Sequence, residues 1–507
     1  MQKEIIQKII SKGIIPTKEL VNSIFENPNK MEELIQLHIK NLDTDTTKKI
    51  NVDVKELKRN DNEKNNSNLN DIVRRVNIVK NFTEDITKKR DVQDFVNYYN
   101  DRFNSLKRIL LSRQELTDAI SISRVYTVKE RTEVIFIGMV LEKAITKNKN
   151  LILKLEDSTG TISVLINRNK KNLYEKSRFI VEDEVIGING VASGNIVFCN
   201  DFYFPDIPSH VPIKKCDDDI NAIFISDMHV GSRLFLEEEF NKFIDWINGD
   251  VGDKAQRDIA NKTKYIFFVG DLVDGIGIYP GQEAELAIWD IQKQYEKFVE
   301  LVDRISKDKT LIICSGNHDA DRLEEPQLGI FKWVAEKLYL LKNAIIVSNP
   351  AVVNIHKKEN FKGFDVLLYH GFSFFHFIEN VDALRELEGN EKWKAMMKFL
   401  IEKRHLAPSH GAARFVPSKK DFLVIDSVPD IFACGHVHQS VVSQYKNTTM
   451  ICSSCFQSKT SLEEKLGVDP QPGRVAIVNL KNRDVKIMNF YSEETDSSKD
   501  KTVTEII

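Results

Sequence analysis

From about residue 220 onward the chain alternates short, wholly apolar runs with amphipathic stretches. Ile223-Phe-Ile225, Tyr265-Ile-Phe-Phe-Val269, Leu311-Ile-Ile-Cys314, Val366-Leu-Leu-Tyr369 and Ile431-Phe-Ala-Cys434 are too short for helices. They are apolar at successive positions, the pattern of strands buried on both faces. Between them, Leu236 to Asn248, Glu283 to Asp303 and Phe331 to Leu341 place apolar residues at helical spacing. Further strands follow at Met450-Ile-Cys452, Arg474 to Leu480 and Val485 to Phe490. Strands alternating with helices predict an α/β sandwich, with its domain bounded at 218–492.

Upstream the period changes. Val134 to Leu141, Asn150 to Leu155, Thr161 to Ile166, Glu184 to Val191 and Asn195 to Cys199 read as five short strands, with Asp157-Ser-Thr-Gly160 as a turn. Five strands in so short a stretch fit an OB-fold barrel, placed at 131–208. Phe202, Tyr203 and Phe204 cluster beyond the last strand beside Pro205 and are expected to form an interdomain seam rather than a base-stacking platform. Before the barrel, Phe95, Tyr98, Phe103, Leu106, Leu110 and Leu111 mark a helix within a lead-in over 85–130. Residues 43–84 are crowded with Asn, Asp, Lys and Thr, too little apolar surface to offset ordering entropy, and are assigned to a disordered linker. Residues 1–42 carry Ile5, Ile6, Ile9 and Ile10, then Leu20, Val21, Ile24 and Phe25, a small N-terminal helical module broken at Gly13 and Pro16. The tail, 493–507, is polar and expected to be loose.

Length and charge refine this picture only a little. The 507 residues suffice for two or three domains, and 42% hydrophobic content fills ordinary cores. With 72 Lys plus Arg against 75 Asp plus Glu, overall charge does not advertise nucleic-acid binding, so any such contact is local or shared with a partner. Three of the six cysteines lie inside or beside apparent strands, the usage of a reduced chain. Cys452-x-x-Cys455 lacks the second pair that a zinc ribbon needs, so it reads as structural. The amino terminus lacks a basic region followed by an apolar core, and no stretch reaches the about 18 apolar residues of a membrane span, so a cytoplasmic location is expected.

The chemistry sits where the apolar runs end. Each is followed at once by polar donors: Asp227-Met-His229, Gly270-Asp271-Leu-Val-Asp274, Gly316-Asn317-His318-Asp319, His370-Gly371 and Gly435-His436-Val-His438. Strand ends are where open α/β sheets bind ligands. Carboxylate, imidazole and amide oxygen donors together suit manganese, iron, zinc or magnesium, whereas thiolates would have argued for structural zinc. One Asp-x-His pair would mean little, but five such motifs in order, each after a strand, form a set.

That ordered set resembles the calcineurin-like metallophosphoesterases. The resemblance implies two divalent cations, manganese in the first place with magnesium as the alternative. It assigns Asp227, His229 and His438 to one ion, Asn317, His370 and His436 to the other, and Asp271 to the bridge between them. His318 is implied as the catalytic residue, unligated and facing the scissile phosphate. Asp274 and Asp319 are expected to support these groups from behind, Asp319 by fixing the His318 tautomer. His405 and His410, beside Lys403-Arg404, are read as part of a solvated basic loop near the site.

Phosphatases, phosphodiesterases and nucleases share these motifs, so the context has to choose between them. A barrel ahead of a phosphoesterase, with Gly270-Asp-Leu-Val-Asp-Gly-Ile-Gly-Ile-Tyr-Pro-Gly281, Glu325-Pro-Gln327, Arg404-His-Leu-Ala-Pro408 and Asp426-Ser-Val-Pro-Asp-Ile-Phe432, resembles the small (B) subunits of replicative DNA polymerases, in particular those of archaeal family D. The resemblance implies a 3′-to-5′ exonuclease that trims single-stranded DNA and mismatched primer ends. It also implies a heterodimer or higher assembly with a large catalytic subunit, which docks on the barrel and phosphoesterase domains. The amino-terminal helices would reach the sliding clamp or another replisome protein. Two alternatives stay open at this stage: an inactive scaffold subunit, and a stand-alone double-strand-break repair nuclease.

Overall fold

The computed structural model describes residues 75–83, 89–491 and 505–506. The helical module expected at 1–42 and most of the linker expected at 43–84 lie outside the described residues.

Two sheets face each other in the large domain. One has seven strands in the order β10, β9, β8, β7, β16, β17, β18. These are β7 (Asn221–Ile225), β8 (Thr263–Val269), β9 (Thr310–Cys314), β10 (Ala344–Val347), β16 (Arg474–Asn479), β17 (Val485–Asn489) and β18 (Glu505–Ile506). Four neighbouring strands at one end of it, β7 to β10, run parallel. The other sheet has six strands, in the order β1, β11, β12, β13, β15, β14. They span Asn77–Lys80, Ala351–Ile355, Phe364–Leu368, Ile431–Cys434, Thr448–Cys452 and Val441–Tyr445 in that order. The expected apolar runs thus become strands whose residues are buried on both faces.

The inner faces meet in a core that includes Phe224, Phe267, Val353, Val366, Ile431 and Ile451. Phe224 and Phe267 stack at 4.8 Å between ring centroids, and truncating either should cost about 3–5 kcal/mol. Helices cover the outer faces: α2 (Glu237–Asn248) and α3 (Ile291–Val302) on one side, α4 (Gly389–Lys403) on the other. The helix expected over Phe331 to Leu341 is reduced to a single tight turn at Glu336–Leu340, while Ala344–Val347 goes straight into the sheet edge.

A closed five-stranded barrel, β2 to β6 (Glu133–Ile145, Leu151–Asp157, Gly160–Ile166, Val185–Ser193, Ile196–Tyr203), precedes this domain. It is consistent with an OB-fold. In the lead-in, α1 (Val92–Leu111) is started by Asp91, whose side chain caps Asp94 N–H while Asp94 returns the bond. Its buried face, including Phe103, Leu106 and Leu110, packs with Ile137, Met139 and Val185 of the barrel.

Three expectations are corrected here. Residues 77–80, assigned to the disordered linker, form β1, which extends the six-stranded sheet beside β11, and Phe82 just beyond is fully buried. Ile78 and Val79 supply the β-forming residues that the surrounding polar composition obscured. Within the tail expected to be loose, Glu505–Ile506 pairs with Lys486 and Ile487 at the opposite edge. The segment from Lys403 to Pro408 is not solvated, although His410 is exposed: Lys403, Arg404 and His405 are buried, and Lys403 pairs with Glu184 of the barrel. Lys403 Nζ also lies 3.4 Å from the centre of the Phe204 ring, placing Phe204 in the interdomain seam. Among the described residues, no helix is long and apolar enough to cross a membrane.

Candidate metal centre

The strand ends that carry the motifs come from both sheets: β7, β8 and β9 from one, β12 and β13 from the other. Their chains turn sharply as they leave the core. Asp227, His229, Asp271, His436 and His438 all take positive φ, between 51° and 71°. Left-handed backbone at a residue with a Cβ costs about 1–3 kcal/mol, and five cases in one place mark a region held by its surroundings. The motif glycines have a steric cause. A Cβ on Gly316 would lie 2.2 Å from Asp271 Oδ1, and one on Gly435 would lie 1.9 Å from Ser226 Oγ and 2.5 Å from Asp227 Oδ2.

Two sets of donors result. Asp227, His229 and His438 gather in one and Asp271, His370 and His436 in the other, the ligand atoms of each lying within 4.8 Å of one another, and His318 comes equally close to His229 and Asp271 across them. Asp271 stands between them, its Oδ2 3.2 Å from His370 Nε2 and 3.9 Å from His229 Nε2. Asp227 Oδ1 is 3.4 Å from His438 Nε2 and 3.9 Å from His370 Nε2. The Nε2 atoms of His229 and His438 face each other at 3.2 Å. Asn317 Oδ1 is buried without a hydrogen-bond partner.

Supporting bonds fix which nitrogen each imidazole presents. His370 Nδ1 donates to the Val269 carbonyl (2.8 Å), which turns Nε2 toward the two carboxylates, buried and with no hydrogen bond. His229 turns Nδ1 to Asp274 Oδ1 at 3.3 Å, and His438 turns Nδ1 to Glu463 Oε1 at 2.7 Å. Carboxylates behind imidazoles in this way orient ligands for a cation. Asp274 is itself held by Gln282 and Gln457.

The electrostatics point the same way. Burial alone would raise Asp271, but His370, His318 and His229 around it hold the carboxyl well below its usual range. Burial would likewise lower His370, yet Asp271 and Asp227 raise it to about 10. Burial and the neighbouring His370 push His436 down to about 3. Such crowding of imidazoles on two carboxylates, with a bare Nε2 and a bare amide oxygen among them, fits two divalent cations of the borderline to hard kind.

His318 sits at the edge of both sets, its ring 4.6 Å from that of His229 and nearly perpendicular to it. Its backbone N–H donates to Asp271 Oδ1 and its Nδ1 donates to the Asp274 carbonyl, both at 2.8 Å, so Nε2 is the free atom. Burial lowers its pKa, with Asp271 pulling the other way. The tautomer role expected of Asp319 therefore falls to the Asp274 carbonyl. Asp319 instead accepts from Gly316 N–H (2.9 Å), Leu272 N–H (3.3 Å) and the Tyr295 hydroxyl (2.9 Å), tying the loop that carries Asn317 to the end of β8.

Glu463, Gln282, Gln457 and Asn349, whose Oδ1 accepts from His370 N–H, have no place in the motifs. Only Glu463 left a trace in the sequence. Thr460-x-x-Glu463 is a capping box that starts helix Ser461–Leu466, but that pattern does not reveal that the second carboxylate oxygen turns to His438.

Residues 220–440 match the family model described as calcineurin-like phosphoesterase, so the two-sheet domain is a domain of that class. Over 390 residues, 77% of this chain and 78% of the relative, the sequence is 40% identical to the DNA polymerase II small subunit of Methanothermobacter thermautotrophicus. It is 37% identical to the protein of that name from Archaeoglobus fulgidus over 82% of this chain and 81% of the relative. With the Pyrococcus abyssi protein it shares 37% identity over 79% of this chain and 63% of that longer relative. The chain belongs to the family of archaeal DNA polymerase II small subunits.

Proposed function

We propose that this chain is the 3′-to-5′ exonuclease subunit of a DNA polymerase, hydrolysing phosphodiesters at single-stranded and mismatched primer ends, and that it works in complex with a large subunit that adds nucleotides. The observation that supports this most is the donor array itself: every position is filled, and His318, within reach of His229 and Asp271, is held through Nδ1 by the Asp274 carbonyl with Nε2 left free. A subunit kept only as a scaffold gains nothing from five strained backbone positions and a buried amide oxygen left without a partner.

Asp227, His229 and His438 would hold one cation, Asn317, His370 and His436 the other, with Asp271 between. Divalent ions bound there neutralise the phosphate and make water a better nucleophile at neutral pH. The protein's own part is orientation. Asp274 and Glu463 fix the His229 and His438 rings, and Val269 fixes His370. His318, anchored through Nδ1, offers Nε2 to the oxygen that leaves the scissile phosphate.

The test is incubation of the purified chain with a 3′-mismatched primer and manganese. The wild type should shorten the primer from its 3′ end. His318→Ala should take up the same number of ions while losing about 100-fold or more of the rate. An intact primer with the wild type would leave only an assembly role.

A further inference from the structure

Tyr279 belongs to neither donor set and to none of the hydrophobic cores, yet it is held with care. Its ring centroid lies 6.2 Å from that of His318, tilted by 58°. Its hydroxyl donates to Glu285 Oε2 at 2.8 Å, and Glu285 Oε1 accepts from Ser461 N–H at 3.0 Å. The loop beneath it is pinned by Gln282, a fully buried side chain that donates to the Asp274 carbonyl (2.7 Å) and carboxylate (3.0 Å) and accepts from Ile278 N–H (3.0 Å). The Asp274 carbonyl also holds His318, at 2.8 Å. One backbone oxygen thus sets the ring and the catalytic imidazole relative to each other. The tight path of this loop needs positive φ at Gly275 (72°) and Gly277 (77°).

A half-buried aromatic ring, fixed at its hydroxyl end and bordering a phosphodiester site, is the arrangement on which an unpaired base stacks. It lies on the His318 side, where the leaving oxygen would be. From this we infer that Tyr279 stacks the base of the nucleotide that supplies the leaving oxygen, the one immediately 5′ of the scissile phosphate. This rests on the exonuclease reading above and adds a substrate requirement: that nucleotide must be unstacked from its own strand, as at a frayed end.

Deleting the base and deleting the ring in combination tests this. Single-stranded oligonucleotides carrying either thymine or an abasic residue at the penultimate 3′ position are given to wild type, Tyr279→Phe and Tyr279→Ala, and kcat/KM for release of the terminal nucleotide is measured. For the wild type, removing the base should lower kcat/KM by about 10-fold or more, the scale of one base–aromatic stack. Tyr279→Ala should lose a similar factor on the thymine substrate and nothing further on the abasic one, while Tyr279→Phe stays within about threefold of wild type. If base removal costs Tyr279→Ala as much as it costs wild type, the two losses are independent, Tyr279 only shapes the site, and the inference is overturned. A wild type inert on both oligonucleotides overturns the exonuclease reading, and the inference falls with it.

Discussion

Two buried clusters of charged side chains lie in this molecule, and their contrast shows what separates a structural polar network from a reactive one. In the seam where α1 meets the large domain, Arg102, Asp421 and His405 are as buried as any metal-centre residue. There, however, the bonds close. Arg102 donates to Asp421 Oδ2 (2.8 Å) and the Pro408 carbonyl (2.6 Å). His405 Nε2 donates to Asp421 (2.9 Å) while its Nδ1 accepts from Ala407 N–H (3.0 Å), and Asp421 Oδ1 takes Leu423 N–H (2.9 Å). One cation meets one anion, and the imidazole is neutral. At the metal centre the bonds do not close: His229 Nε2 and His438 Nε2 crowd each other at 3.2 Å, and His370 Nε2 and Asn317 Oδ1 are buried without a hydrogen bond. A network that satisfies itself holds domains together, while one that does not is built around something else.

The largest effect should come from breaking the open cluster at its centre. Asp271→Ala removes the carboxylate shared by both sets, and both metal uptake, followed by calorimetry, and primer cleavage should fall below detection.

The closed cluster should answer in stability instead. Arg102→Met leaves the Asp421 charge buried without its partner and should cost about 3–5 kcal/mol, read from denaturant unfolding, with cleavage per folded molecule unchanged.

The closed cluster also predicts a pH dependence. Burial, together with the charge of Arg102 and against the pull of Asp421, holds His405 down to about 4. Unfolding frees it to its ordinary value near 6.5, so the unfolded chain binds a proton that the folded one refuses between these values. Stability from this residue is therefore complete above about pH 6.5 and lost as pH falls toward 4, by about 3 kcal/mol in all. Thermal midpoints of wild type and His405→Gln between pH 7 and 5 should converge as the solution becomes acid.

The smallest change is the most selective. Glu463→Gln removes the charge behind His438 but keeps the side chain's length, and manganese affinity should drop by about 10–100-fold with little loss of stability.

The same contrast decides what could be read from the sequence. The donors were legible because each closely follows a strand, so local pattern and spatial place coincide: Asp271 follows β8 and His436 follows β13. The seam was not. Arg102 sits in Asn-Tyr-Tyr-Asn-Asp-Arg-Phe, which looks like the wet side of a helix, and its partner Asp421 is 319 positions away. His405 looked solvated for the same reason, since its burial is decided by α1 and not by its neighbours in sequence. Asp274, which shares a motif with Asp271, lies 3.3 Å behind the His229 ring. Asp319 was given the wrong bond, because adjacency to His318 suggested a contact that the turn after β9 directs to Gly316 and Leu272 instead.

Anomalous diffraction from crystals equilibrated with manganese tests the central claim most directly. The account predicts two peaks about 3.5–4 Å apart, with the Asp271 carboxylate between them and His318 bound to neither. A single peak, none, or a His318 nitrogen bound to an ion would contradict it.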